Sequence, residues 1–145
     1  MTQMPTLAEL MTPFPQSIAL LATLAEAAAV MAEAGCQHLP VLDAQHQVVG
    51  LLSMRDIELA RQLGHPAAEL TDLVVNDVYR RAVVRVDLHT RLDYVLADMA
   101  QQHCEAALVM RQARLAGIVT HTDVTRFFAQ WLHKHFAPND EPDIA

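Results

Sequence analysis

Two stretches of this chain have residue types and a spacing that could do chemistry. Gly50-Leu-Leu-Ser-Met-Arg-Asp56 and Gly117-Ile-Val-Thr-His-Thr-Asp123 both read glycine, two aliphatics, a hydroxyl residue, two variable residues and an aspartate, and stand 67 residues apart. A hydroxyl residue at the start of a helix accepts from an unpaired backbone N–H of the first turn, and that end of a helix favours negative charge. An aspartate three residues later sits beside the cap. Its carboxylate can accept two hydrogen bonds at once, as the 2′ and 3′ hydroxyls of a ribose require. Taken alone, Ser53 with Asp56 and Thr120 with Asp123 are capping boxes of a common kind. The duplication gives them weight beyond that. Gly50 and Gly117 precede them on strand-like segments, where a missing side chain permits close backbone approach.

Groups that could meet a phosphate lie nearby. Arg55 and His121 fall inside the two words, and Arg80 and Arg81 lie at the entry to the second repeat. The competing reading for each is a solvated surface charge. Other constellations fail. His133-x-His135 places two imidazoles nearly opposite on a helix, and there is no His-Glu-x-x-His or Cys-x-x-Cys, so no metal is expected. No Gly-x-Ser-x-Gly, P-loop or Gly-x-Gly-x-x-Gly is present, and the whole chain has four glycines. No nucleophile–base pair is recognisable, so the chain reads as a binder, not an enzyme.

Composition narrows the class. Hydrophobic residues are 52% and charged residues 19% of 145, which fits a folded chain with a real core. The net charge of −7 and the lack of a basic stripe disfavour nucleic acid. Cys36 and Cys104 are too few for a disulfide framework or a four-thiolate zinc site, and fit a reducing cytoplasm. No apolar stretch reaches the ~20 residues of a membrane span, and the N-terminus does not read as a secretory signal.

The elements that must position the two words also occur twice. Thr23 with Glu26 predicts a helix start, Leu24, Ala27, Ala28 and Met31 continue it, and Gly35 stops it. Leu39–Leu42 and Val48–Leu52 predict strands around a polar turn, and Ser53 caps a helix over 54–63 that ends before Gly64-His-Pro66. In the second half, 82–86 is an opening strand. Thr90 is expected to cap a helix carrying Leu92, Val95, Leu96 and Met99. Strands follow at 106–110 and 115–119, then a helix capped by Thr120. Short lead-ins precede each half, the first with a capping box of Thr6 and Glu9. Met31 and Met99 are expected in the core. Phe127, Phe128, Trp131 and Leu132 form a helical apolar stripe, either core cover or a dimer surface. The expected organisation is one repeat over 5–66 with its lead-in helix, a second over 67–136, and an acidic flexible tail over 137–145.

The lead-in Leu10-Met-Thr-Pro13, the phrase Gly35-Cys-Gln-His-Leu-Pro-Val-Leu-Asp43 and the word ending at Asp56 resemble those of tandem CBS domains, also called Bateman modules. The resemblance covers about residues 5 to 133. It implies an α/β (α+β) fold of two β-α-β-β-α repeats packed through their sheets with pseudo-twofold symmetry. Clefts between the repeats would take AMP, ADP, ATP or S-adenosylmethionine as a regulatory ligand, with no cofactor required. Thr12, Pro13, His38, Leu39 and Pro40 are then expected at the clefts beside Ser53, Arg55 and Asp56. Arg80, Ala82 and Ala107 join Thr120, His121 and Asp123 from the second repeat. The second repeat departs from the pattern: Tyr79-Arg80 stands where Met-Thr is usual, and Ala106-Ala107-Leu108, or a one-residue slip of it, replaces Leu39-Pro40-Val41. Two clefts of unequal quality follow. The resemblance further implies a homodimer and a separate effector protein. The alternative function is a dimerisation or interaction module without a ligand.

Overall fold

The computed structural model describes residues 3–63 and 69–136. The repeat boundary at 66/67, the expected stop at Gly64-His-Pro66 and the tail over 137–145 lie outside them. The chain runs α1 (Leu7–Leu10), β1 (Thr12–Pro13), β2 (Ile18–Ala19), α2 (Leu24–Ala34), β3 (His38–Leu42), β4 (Val48–Ser53) and α3 (Met54–Leu63). A 3-10 turn at Val75–Asp77 leads to β5 (Val84–Asp87), α4 (Leu92–Gln102), β6 (Ala106–Arg111), β7 (Arg114–Thr120) and α5 (His121–His135). Each half is therefore β-α-β-β-α. In both, the opening strand pairs parallel to the next, and the next two form an antiparallel hairpin.

Period-two alternation divides the strand side chains between an inner core for each half and a layer shared by both. Leu39, Val41 and Leu52 face α2 and α3 in a core with Leu24, Ala27, Met31 and Ile57. Ala107, Val109 and Val119 face α4 in a core with Leu92, Val95 and Met99. On the opposite strand faces, Leu51 meets Ala106, Leu108 and Ile118, which joins the two halves sheet to sheet. Met31 and Met99 are core residues, as expected.

The lead-ins are exchanged between the halves. β1 pairs antiparallel with β7, Thr12 opposite Ile118, and Leu7 and Leu10 of α1 belong to the core of the second half. Conversely, the segment before β5 lies on the first half: Leu51 and Arg80 exchange backbone hydrogen bonds, and Val75 is fully buried in the first core. Gly50 and Gly117 permit this. A Cβ on Gly50 would collide with the Arg80 carbonyl and come within 2.8 Å of the Tyr79 ring. A Cβ on Gly117 would stand 2.5 Å from Met11 Sδ and 2.9 Å from the Thr12 carbonyl. The close backbone approach that these glycines allow is made by the chain itself.

Register resolves the slip. Leu39 pairs with Leu52 as Ala107 pairs with Val119, so Ala107-Leu108-Val109 is the counterpart of Leu39-Pro40-Val41. The halves stand 68 residues apart from their opening strands through α2 and α4, and 67 apart only beyond the second hairpin, which is one residue shorter. Thr90 is accordingly not a cap. The N-cap of α4 is Arg91, which makes no side-chain cap bond, and its guanidinium pairs with Asp93 at 3.0 Å. Thr90 instead closes a turn, its N–H donating to the Asp87 carbonyl. The other expected caps are formed: Thr6/Glu9, Thr23/Glu26 and Thr120/Asp123 are reciprocal capping boxes, and Gly35 ends α2 at φ 67°.

Candidate functional site

Two clefts lie where the halves meet, and each combines three segments. The first, a cavity of about 520 Å³, is lined by Ser53, Arg55 and Asp56 at the start of α3, by Arg80 and Ala82–Val84 before and in β5, and by Gln102–Ala106 after α4. The second, about 500 Å³, is lined by Thr120, Thr122, Asp123 and Arg126 of α5, by Thr12 and Phe14–Gln16, and by Ala34–His38 after α2. Segment by segment the two sets are counterparts. Volumes of this size suit a small organic ligand.

Both aspartates are buried, Asp56 6% and Asp123 7% exposed, because the strand–helix junction tucks the first helical turn against the opposite half. In the first cleft, Asp56 Oδ2 accepts from the Ser53 N–H at 3.1 Å and Oδ1 from Arg80 Nε at 2.9 Å. A carboxylate has about four acceptor sites, so Asp56 keeps capacity toward the cleft. In the second, Asp123 Oδ2 accepts from the Thr120 N–H and hydroxyl at 2.9 and 3.0 Å, Oδ1 accepts from the Thr12 hydroxyl at 2.8 Å, and Arg126 stands 3.7 Å away. Asp123 is nearly saturated by the protein.

A polar clasp crosses between the halves beside the first cleft. Glu105, from the turn after α4, meets Arg55 at 3.2 Å and His38 Nε2 at 3.8 Å. His38 lines both clefts, and its counterpart in the second half is Ala106. Burial pushes the His38 imidazole below its ordinary value of 6.5. Glu105 and Asp56 oppose that shift, while His121 and Arg55 add to it. Burial likewise raises the Cys104 thiol. Among the described residues, no cluster of three or more His, Cys, Asp and Glu could hold a metal ion.

Of the residues expected at a site, His38, Ser53, Arg55, Asp56, Arg80 and Ala82 come together in the first cleft, and Thr12, His38, Thr120 and Asp123 in the second. Five do not line either. Leu39 and Ala107 point into the two separate cores by strand alternation, and Pro40 is buried in β3. Pro13 and His121 lie exposed outside the linings. Sequence reasoning missed Glu105, His103 and Gln37, because the turn after each first helix serves the other half's cleft. It also missed Phe14, which is 87% exposed at φ 45°, a strained conformation for a bulky residue.

With this geometry in hand, comparison with known proteins assigns the class. The CBS domain model matches residues 7–61 and again 75–130, and the chain belongs to the CBS domain family, as a tandem pair. Solved structures agree in fold. A Vibrio cholerae protein described provisionally as an acetoin utilization protein (AcuB) superposes with a TM-score of 0.79 at 22% identity, covering 94% of this chain and 100% of that one. The CBS domain pair of protein MJ0100, solved with 5-methylthioadenosine and S-adenosyl-L-methionine, gives 0.76 at 21%, covering 89% and 99%. CBSX2, solved with AMP, gives 0.72 at 22%, covering 87% and 97%. No curated protein matches the sequence. Among the described residues, no helix is long and apolar enough to cross a membrane.

Proposed function

We propose that this chain is a regulatory module that binds an adenosine-type nucleotide, AMP, ADP, ATP or S-adenosylmethionine, in the clefts between its repeats. The observation that carries this reading is Asp56: a buried carboxylate at a helix start, facing a cavity of about 520 Å³, with acceptor capacity left for a ribose diol. Structural neighbours of the same fold were solved with ligands of this class. The ligand is read, not transformed. It bridges segments from both repeats, so its binding biases their packing, and a separate cytoplasmic effector protein reads that bias. Calorimetric titration with AMP, ADP, ATP and S-adenosylmethionine tests this. No heat and no rise in melting temperature with any of them overturns it.

One observation favours a second reading, an interaction module without a ligand. Phe128, Trp131, Leu132 and Phe136 are exposed on and beside α5, with Phe128 and Trp131 stacked at 6.0 Å. We assign this face to a homodimer contact, which serves either reading. Sedimentation of the unaltered chain and of Trp131→Ser tests it. A monomer in both rejects the dimer.

A further inference from the structure

We propose that Arg80 makes the first cleft selective for a phosphorylated ribose ligand over its uncharged nucleoside. This rests on the nucleotide reading above and names the ligand class for one of its two sites. Arg80 occupies the position that Thr12 holds in the second cleft: Thr12 donates its hydroxyl to Asp123 Oδ1, and Arg80 donates Nε to Asp56 Oδ1. A threonine hydroxyl has a single hydrogen to donate, and Thr12 commits it to Asp123. A guanidinium has five N–H donors in a rigid fork. Among the described residues, the hydrogen bond that Arg80 makes through its side chain is the one from Nε. The four Nη hydrogens remain for other acceptors, on a side chain 63% exposed that lines the cleft.

Any ligand filling the cleft removes water from that fork. A nucleoside leaves the Nη hydrogens desolvated without an acceptor, at a cost larger for a charged donor than for a neutral one. A phosphate replaces the lost water with charge-assisted acceptors. Arg80 need not leave Asp56 to do this, since Nε and the Nη pair serve different partners. The same side chain thus orients the ribose carboxylate and meets the anion. Arg55 is the other cation of the cleft, but it is held at 3.2 Å by Glu105, a carboxylate of the opposite half. Among the described residues, the Arg80 side chain is held by the carboxylate that the ribose itself uses.

The test titrates AMP, adenosine and inorganic phosphate into the unaltered chain, Arg80→Thr and Arg80→Gln. Backbone amide shifts of Ala82 report the first cleft and those of Gln16 the second. At Ala82, AMP binds at least about tenfold more tightly than adenosine in the unaltered chain, and either substitution brings that ratio close to one. The ratio at Gln16 stays as it was. Arg80→Gln keeps a donor for Asp56 without the charge and carries the same expectation, so a folding defect of Arg80→Thr does not shield the inference. It is overturned if the AMP preference survives both substitutions, if adenosine matches AMP in the unaltered chain, or if inorganic phosphate alone binds as tightly as AMP. If neither AMP nor adenosine moves either amide, this inference fails; the nucleotide reading fails as well only if ADP, ATP and S-adenosylmethionine also move neither.

Discussion

The hydroxyl of Thr12 donates to Oδ1 of Asp123 at 2.8 Å, tying the first strand of the chain to its last helix across 111 positions. The bond is the visible end of the lead-in exchange. Thr12→Ala removes one donor from a buried carboxylate that keeps the Thr120 N–H and hydroxyl, so it costs about 1–2 kcal/mol of stability by urea unfolding. Leu7→Ala, which empties a site 1% exposed in the second half's core, costs about 2–5 kcal/mol. If Leu7→Ala is neutral, α1 is not a member of that core.

The same exchange makes the two strand glycines unequal. Alanine at Gly50 presses on the Arg80 carbonyl and the Tyr79 ring, both fixed by the backbone pairing of Leu51 with Arg80. Alanine at Gly117 first meets the end of the flexible Met11 side chain, and then the Thr12 carbonyl. Gly50→Ala is expected to destabilise by about 1–3 kcal/mol, and Gly117→Ala by less. Because Arg80 is the segment displaced, Gly50→Ala also weakens AMP at the first cleft. Equal unfolding midpoints for the two variants would contradict this account.

Much of the fold was legible because local chemistry and tertiary packing agree. The capping boxes at Thr6, Thr23 and Thr120, the stop at Gly35 and the core positions of Met31 and Met99 follow from spacing alone. Thr90 misled, because the spacing of 67 read from the two glycine words holds only beyond the hairpins; before them it is 68, so Thr23 corresponds to Arg91. A single spacing does not see a hairpin shortened by one residue. Leu39 and Ala107 misled in another way: a strand residue beside a site residue faces the opposite side. Glu105 left no signal, since its role depends on which half its turn reaches. Clefts of unequal quality were expected both from Leu39-Pro40-Val41 and from Tyr79-Arg80 in place of Met-Thr, and of these only Arg80 reaches a cleft. Arg80 stands where Thr12 does, and Asp123 is the more saturated carboxylate.

That saturation separates the two aspartates. Asp56→Ala removes acceptors that face the first cavity and weakens nucleotide binding there by about 1–3 kcal/mol. Asp123→Ala removes a carboxylate engaged mainly with Thr12 and Thr120. It loses more in stability than in affinity. Parallel calorimetry and urea unfolding of both variants check the contrast. An equal loss of affinity at both positions would mean that the protein's own hydrogen bonds do not limit the second site.

His38 gives the chain a pH dependence with a definite sign. Its imidazole is held below 6.5 in the folded protein, chiefly by burial. Around it stand Glu105 and Asp56, which favour the proton, and Arg55 and His121, which oppose it. Above about 6.5 the ring is neutral whether the chain is folded or not, and folding gains no penalty from it. As pH falls from there toward the lowered folded value, the unfolded chain takes up the proton first, and stability declines. The urea midpoint of the unaltered chain should therefore drop between about pH 7.5 and about pH 5.5 by more than that of His38→Gln, the other histidines being common to both. Glu105→Gln removes the largest influence that favours the proton and leaves Arg55 without its partner carboxylate. Both changes push the imidazole lower, so the decline steepens in that variant. A His38→Gln chain as acid-sensitive as the unaltered one would place the pH dependence elsewhere than at the junction of the two clefts.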